Sequence, residues 1–206
     1  MEEDQKNIYL VFSHSGTLVS KAIKFATKQR YSHVSISVNP KLDILYSFAR
    51  RKIHNPFNAG FVSEDFDKGI FARLPNIKCK IYKVKVDEEK YNSICEIIDE
   101  FKENKEKFDY NILGLFSPLT GVPFARENHY FCSQFVAEVL KRSNVLELDK
   151  FPLLYSPYDL LKRVENESYK GKVDVEVCYE GELQKFNKLR KEKNNVFNDN
   201  KSLFFE

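Results

Sequence analysis

The sequence predicts an α+β chain, with short strands early and again near the end, and two helices that each carry an apolar stripe. Three observations lead there. From Tyr31 to Val38 the residues alternate, Val34, Ile36 and Val38 against His33, Ser35 and Ser37, which is the period of a strand. Between Asp87 and Lys107 the apolar residues Tyr91, Ile94, Ile97, Ile98 and Phe101 recur at helical spacing. A second helical stripe begins at Cys132 and continues through Phe135, Val136, Val139 and Leu140.

The chain has 206 residues, enough for one sizeable core, so residues 1–182 are read as a single domain and 183–206 as a polar, charged tail or helix. Hydrophobic residues make up 42% and charged ones 31% of the chain, and no apolar run approaches the roughly 18 residues of a membrane helix. An acidic start, Glu2-Glu3-Asp4, before the short run Ile8–Phe12 is unlike a secretory signal, so a cytoplasmic location is expected. A net charge of +3 is too small to imply a nucleic-acid partner. The four cysteines, Cys79, Cys95, Cys132 and Cys178, form no C-x-x-C pair, and the four histidines are scattered. Neither a zinc site nor a disulfide framework is expected, and the absence of glycine-rich phosphate loops leaves no nucleotide cofactor to predict.

In order, Asn7–Ser13 reads as a first strand, followed by a short amphipathic helix over Thr17–Thr27. The alternating strand at Tyr31–Val38 turns at Asn39-Pro40-Lys41 and pairs with Asp43–Ala49 as a hairpin. Arg50–Leu74 reads as a long loop with one helical turn near Ser63–Phe66. Cys79–Val86 is a strand whose lysines suit a sheet edge. Asp87 caps the long helix, and the aromatic stretch Phe108–Asn128 is broken by Gly114, Pro118, Gly121 and Pro123. Asn144 ends the Cys132 helix; Pro157–Glu165 is a further helix, and Val173–Tyr179 a last strand with Cys178 on the face opposite the valines.

The chemistry concentrates at Cys132. At the start of a helix, unpaired backbone N–H groups and the positive end of the dipole favour a thiolate, which is the nucleophilic form of cysteine. A buried cysteine opening a core stripe would look the same in isolation. A cysteine hydrolase also needs a histidine to take the thiol proton and a group to orient the imidazole. His33, on a polar strand face, is the candidate base. His129, three residues before Cys132, is a local rival, ranked behind because the pair would share one helix end with the substrate.

Tyr31-Ser32-His33-Val34-Ser35-Ile36 and Tyr130-Phe131-Cys132-Ser133-Gln134-Phe135-Val136 resemble the two signatures of the circularly permuted NlpC/P60, papain-like cysteine hydrolases, in which the histidine strand precedes the cysteine helix. The resemblance covers roughly residues 7 to 165. It implies an antiparallel sheet or half-barrel with the cysteine helix packed against it, and thiol-dependent attack on an amide or ester carbonyl; the leading expectation is an amide bond in a peptide or peptidoglycan-derived fragment. It makes Cys132 the nucleophile, His33 the base and Tyr130 a contact for the substrate or oxyanion, with no cofactor or metal. Members often carry an acidic residue on the strand after the histidine strand; here Ser47 holds the matching position as third catalytic residue. A lipid-ester hydrolase or acyltransferase with an acyl substrate, and an inactive binding domain, are the alternatives. The aromatics of Phe108–Phe124 suit an acyl chain or a core equally.

Overall fold

The computed structural model describes residues 5–14, 30–52, 55–74 and 76–199. The expected helix over Thr17–Thr27 lies outside the described residues, as does His54. The fold is α+β, with one mixed eight-stranded sheet. Its strands are β1 (Lys6–His14), β2 (His33–Ser37), β3 (Leu45–Lys52), β4 (Asn55–Glu64), β5 (Lys78–Val86), β6 (Asp109–Tyr110), β7 (His129–Tyr130) and β8 (Asp174–Glu182). They lie in the order β7-β6-β4-β3-β2-β1-β5-β8. All neighbours are antiparallel except β6 and β7, which run parallel.

Strand β1 is buried on both faces because two cores meet on it. Ile8, Leu10 and Phe12 join the larger core with Val34, Ile36, Phe48 and Phe61; Tyr9 and Val11 join a smaller one with Leu45, Phe66, Phe71 and Ile81. Each such apolar side chain contributes about 1.5–3 kcal/mol through removal from water, so β1 anchors both layers. Over the larger core lie helices α2 (Glu88–Glu103), α4 (Cys132–Arg142) and α5 (Pro157–Tyr169). As expected, Asp87 caps α2, accepting the Lys90 N–H at 2.7 Å, and Ile94, Ile97, Ile98 and Phe101 are its buried stripe. Helix α5 starts at a capping box in which the Ser156 and Asp159 side chains bond each other's backbone N–H.

Two strand readings need correction. Residues 55–64 form strand β4 instead of loop; the Pro56 and Gly60 that argue for a loop sit in a hairpin partner of β3, with Ser47 opposite Val62 and Leu45 opposite Glu64. The helical turn comes later, as α1 (Gly69–Arg73). Strand β5 is interior, between β1 and β8. Its lysines do not defend an edge; Lys80, Lys83 and Lys85 pair with Glu165, Glu176 and Asp174 at 2.9, 2.8 and 3.1 Å.

Strand β8 also departs from plain alternation. Ile81 pairs with Tyr179 and Tyr82 with Val177, so Cys178 is the extra residue of a bulge. Val175 therefore packs on the larger core and Tyr179 on the smaller one. The final segment is helix α6 (Leu183–Asp199). Leu183 is buried, Phe186 meets the rings of Phe66 and Tyr179, and Arg190 bonds Asp67 at 2.6 Å.

Candidate active site

Helix α4 opens directly after β7, and β6 fixes that junction: the Asp109 N–H donates to the Asn128 carbonyl and the Asn111 N–H to the Tyr130 carbonyl, both at 2.9 Å. Phe131, the N-cap, is extended and offers no side-chain cap, so the first N–H groups of α4 are not taken by a capping side chain. Cys132 is buried on the inward stripe with Phe135, Val136, Val139 and Leu140. Ser133 ties the same turn to the Tyr155 carbonyl at 2.8 Å.

His33 opens β2 opposite Ser13 of β1. Its Nε2 lies 2.9 and 3.1 Å from the two carboxylate oxygens of Glu64, and the Ser35 hydroxyl donates to that carboxylate at 2.6 Å. Cys132 lies close enough to His33 that its side chain raises the imidazole's pKa. With Nε2 held by Glu64, Nδ1 is the nitrogen left for the thiol. Neither partner is in open water: the side chains of His33 and Glu64 are 17% and 13% exposed. Burial alone would lower the His33 pKa, but the Glu64 charge and hydrogen bond, with the neighbouring Cys132, outweigh it and hold the imidazole well above its ordinary value. Burial likewise opposes ionisation of Glu64, and His33 and Ser35 overcome it, so its pKa is lowered.

The structure thus brings His33 and Cys132 together and supplies an acid from a segment read as loop. Ser47 does not occupy the orienting position. Fully buried on β3, its hydroxyl donates to the Val34 carbonyl of β2 at 2.8 Å and ties two strands whose ladder contains the single pair Ile36 and Tyr46. The Tyr130 ring, expected at the substrate, packs among Phe48, Phe101 and Phe108 with centroids 5.1 to 5.8 Å away. His129 Nδ1 bonds the Glu127 carbonyl at 2.6 Å, which engages the local rival elsewhere.

Tyr110, opposite Tyr130 in the β6–β7 pair, was not singled out by the sequence, yet it faces the site. Burial first, then the nearby Cys132 and Glu64, push its hydroxyl well above the ordinary pKa, with Arg50 opposing. Its phenol is a neutral donor within electrostatic reach of the sulfur. Among the described residues no group of three His, Cys, Asp and Glu side chains converges as a metal site, and no helix is long and apolar enough to cross a membrane. Comparison with family models, with curated proteins and with solved structures finds no match for this chain.

Proposed function

We propose that this protein is a thiol-dependent hydrolase in which Cys132 is the nucleophile, His33 the acid and base, and Glu64 the group that orients and charges the imidazole. The observation that carries this reading is the His33 ring, set between the nearby Cys132 side chain and the Glu64 carboxylate, one oxygen of which lies 2.9 Å from Nε2. The order of the histidine strand and cysteine helix, and the motifs around them, support a papain-like permuted hydrolase and an amide substrate.

The reaction runs in two halves. Cys132 Sγ, its proton already held by His33 in a thiolate–imidazolium pair, attacks the substrate carbonyl carbon. The negative charge that develops on the carbonyl oxygen is met by the uncapped N–H groups of the first turn of α4. As the intermediate collapses, the C–N bond breaks and His33 returns the proton to the departing amine, leaving a thioester on Cys132. Water then attacks the thioester carbonyl while His33 accepts its proton, the C–S bond breaks, and a carboxylic acid leaves with the thiolate–imidazolium pair restored. Glu64 keeps the ring in position and stabilises the imidazolium throughout.

A second reading, cleavage of an acyl ester, is favoured by one observation: the segment that joins Tyr110 to the strand before Cys132 exposes apolar side chains such as Leu113, Phe116 and Phe124. A panel of short peptide amides and fatty-acyl esters, tested on the wild type and on Cys132→Ala and His33→Ala, decides both matters. Hydrolysis that disappears in both folded variants supports the proposal, and the preferred panel member fixes the bond. Full hydrolysis by Cys132→Ala overturns it.

A further inference from the structure

Residues 111–125 contain no Asp, Glu, Lys or Arg in a chain that is 31% charged. Within this run, a 3-10 turn (Leu113–Phe116) leads into the short helix α3 (Ser117–Thr120). Ile112, Leu113, Phe116, Leu119, Val122 and Phe124 each stand 41 to 56% exposed, an uncommon density of large apolar side chains in water. Phe151, 69% exposed, precedes a second 3-10 turn (Pro152–Leu154) that packs on α3 and widens the same face.

Asn111 and Ser117 are buried, and the exposed Thr120 hydroxyl is engaged within the run. Asn111 donates to the Phe124 carbonyl at 3.0 Å and accepts the Gly114 N–H at 2.8 Å. The Ser117 hydroxyl accepts the Phe124 N–H, and Thr120 donates to the Phe116 carbonyl and accepts the Val122 N–H. All three hydrogen-bonding side chains of the run are therefore satisfied within it. Gly114 is required for this closure, because a Cβ there would collide with the Asn111 amide. A protein interface ordinarily presents Tyr, Trp or Arg and hydrogen-bonding groups to its partner. This surface presents mainly hydrocarbon and phenyl rings, and its polar side chains, Thr120 included, are bonded within the run, which suits a lipid phase.

We infer that the 111–125 segment docks this protein on a phospholipid surface, inserting its apolar tip among the acyl chains. The charges at its two ends, Lys105, Lys107 and Arg126 against Glu106, Asp109 and Glu127, balance, so the attraction is apolar and a zwitterionic bilayer suffices. The segment runs from Tyr110 to β7, two residues before Cys132, so docking brings the candidate nucleophile to the bilayer face.

The test is flotation of the full chain with phosphatidylcholine vesicles. The wild type is expected to float at both low and high salt, roughly 0.05 to 0.5 M. Leu113→Ser with Phe116→Ser should weaken binding about tenfold or more, and Leu119→Ser with Val122→Ser should do the same, both with an unchanged circular dichroism spectrum. Cys132→Ala should float like the wild type, which separates docking from the proposed hydrolysis. Absence of flotation, flotation indifferent to both double variants, or binding abolished by salt overturns the inference. So does a wild-type dimer in sedimentation velocity that the same substitutions dissolve, since a second copy would then cover the face.

Discussion

The Glu64 carboxylate reaches from β4 past β3 to the His33 imidazole on β2, with both oxygens within 3.1 Å of Nε2. Because Glu64 is what raises the His33 pKa against burial, Glu64→Gln is expected to lower it. The alkaline limb of the activity profile, where the imidazolium loses its proton, then moves to lower pH, and kcat/KM falls roughly 100-fold. A pH–rate profile of the two proteins measures this; an alkaline limb that stays in place removes Glu64 from the machinery.

The same pair makes stability depend on pH in a defined direction. The raised His33 pKa stabilises the fold below the unfolded value of about 6.5 and that contribution disappears as pH rises through the folded one. The lowered Glu64 pKa stabilises above about 4.3 and is lost as pH falls through its folded value. Glu64→Gln should therefore cost about 2–4 kcal/mol between these limits, and less in alkali, where His33 is neutral in both proteins. Urea unfolding at several pH values checks the sign.

Alkylation should single out Cys132. Burial pushes the Cys79 thiol up to about 12 and also raises Cys95 and Cys178, so these three react slowly below neutrality. Rapid iodoacetamide labelling at Cys132 at about pH 6, lost in His33→Ala, is the expected peptide-mass result. Equal labelling of all four cysteines would contradict the pair.

Ser47→Ala separates structure from catalysis. Removing the hydroxyl leaves the buried Val34 carbonyl without this donor and should cost about 1–3 kcal/mol. Turnover should change by less than about twofold, because the imidazole is held by Glu64; a loss comparable to that of Glu64→Gln would return Ser47 to the catalytic set.

Phe48 is the hub of the aromatic core, within 6.4 Å of the rings of Phe61, Phe101, Phe108, Tyr130 and Phe135. Phe48→Ala is expected to destabilise by about 3–5 kcal/mol, read as a fall in the urea midpoint.

Helices α2, α4 and α5 were legible because their signals are local. The stripe of α2, its Asp87 cap and the inward Cys132 of α4 follow from spacing within a few residues. Glu64 was not, because its role depends on a hairpin register that Asn55-Pro56-Phe57-Asn58-Ala59-Gly60 disguises as loop, and on a carboxylate bridging past an intervening strand. Motif position pointed to Ser47, one strand short of the acid that does the orienting. Tyr110 carried no signal of its own, since a two-residue strand is defined only by its partner. The lysines of β5 misled for a similar reason: the acids that neutralise them lie on α5 and β8, roughly a hundred residues later.

The bulge in β8 makes Cys178 a matter of arithmetic and not of chemistry. Its side chain is exposed and its neighbours Val175 and Tyr179 serve opposite layers because one additional residue stands between them. Serine, lysine or threonine would keep that count. Deleting the position would leave three steps between Val175 and Tyr179, which strict alternation also sends to opposite faces, so the strand can lose this residue and keep both anchors in their layers. What the bulge absorbs at 178 is one residue of surplus length.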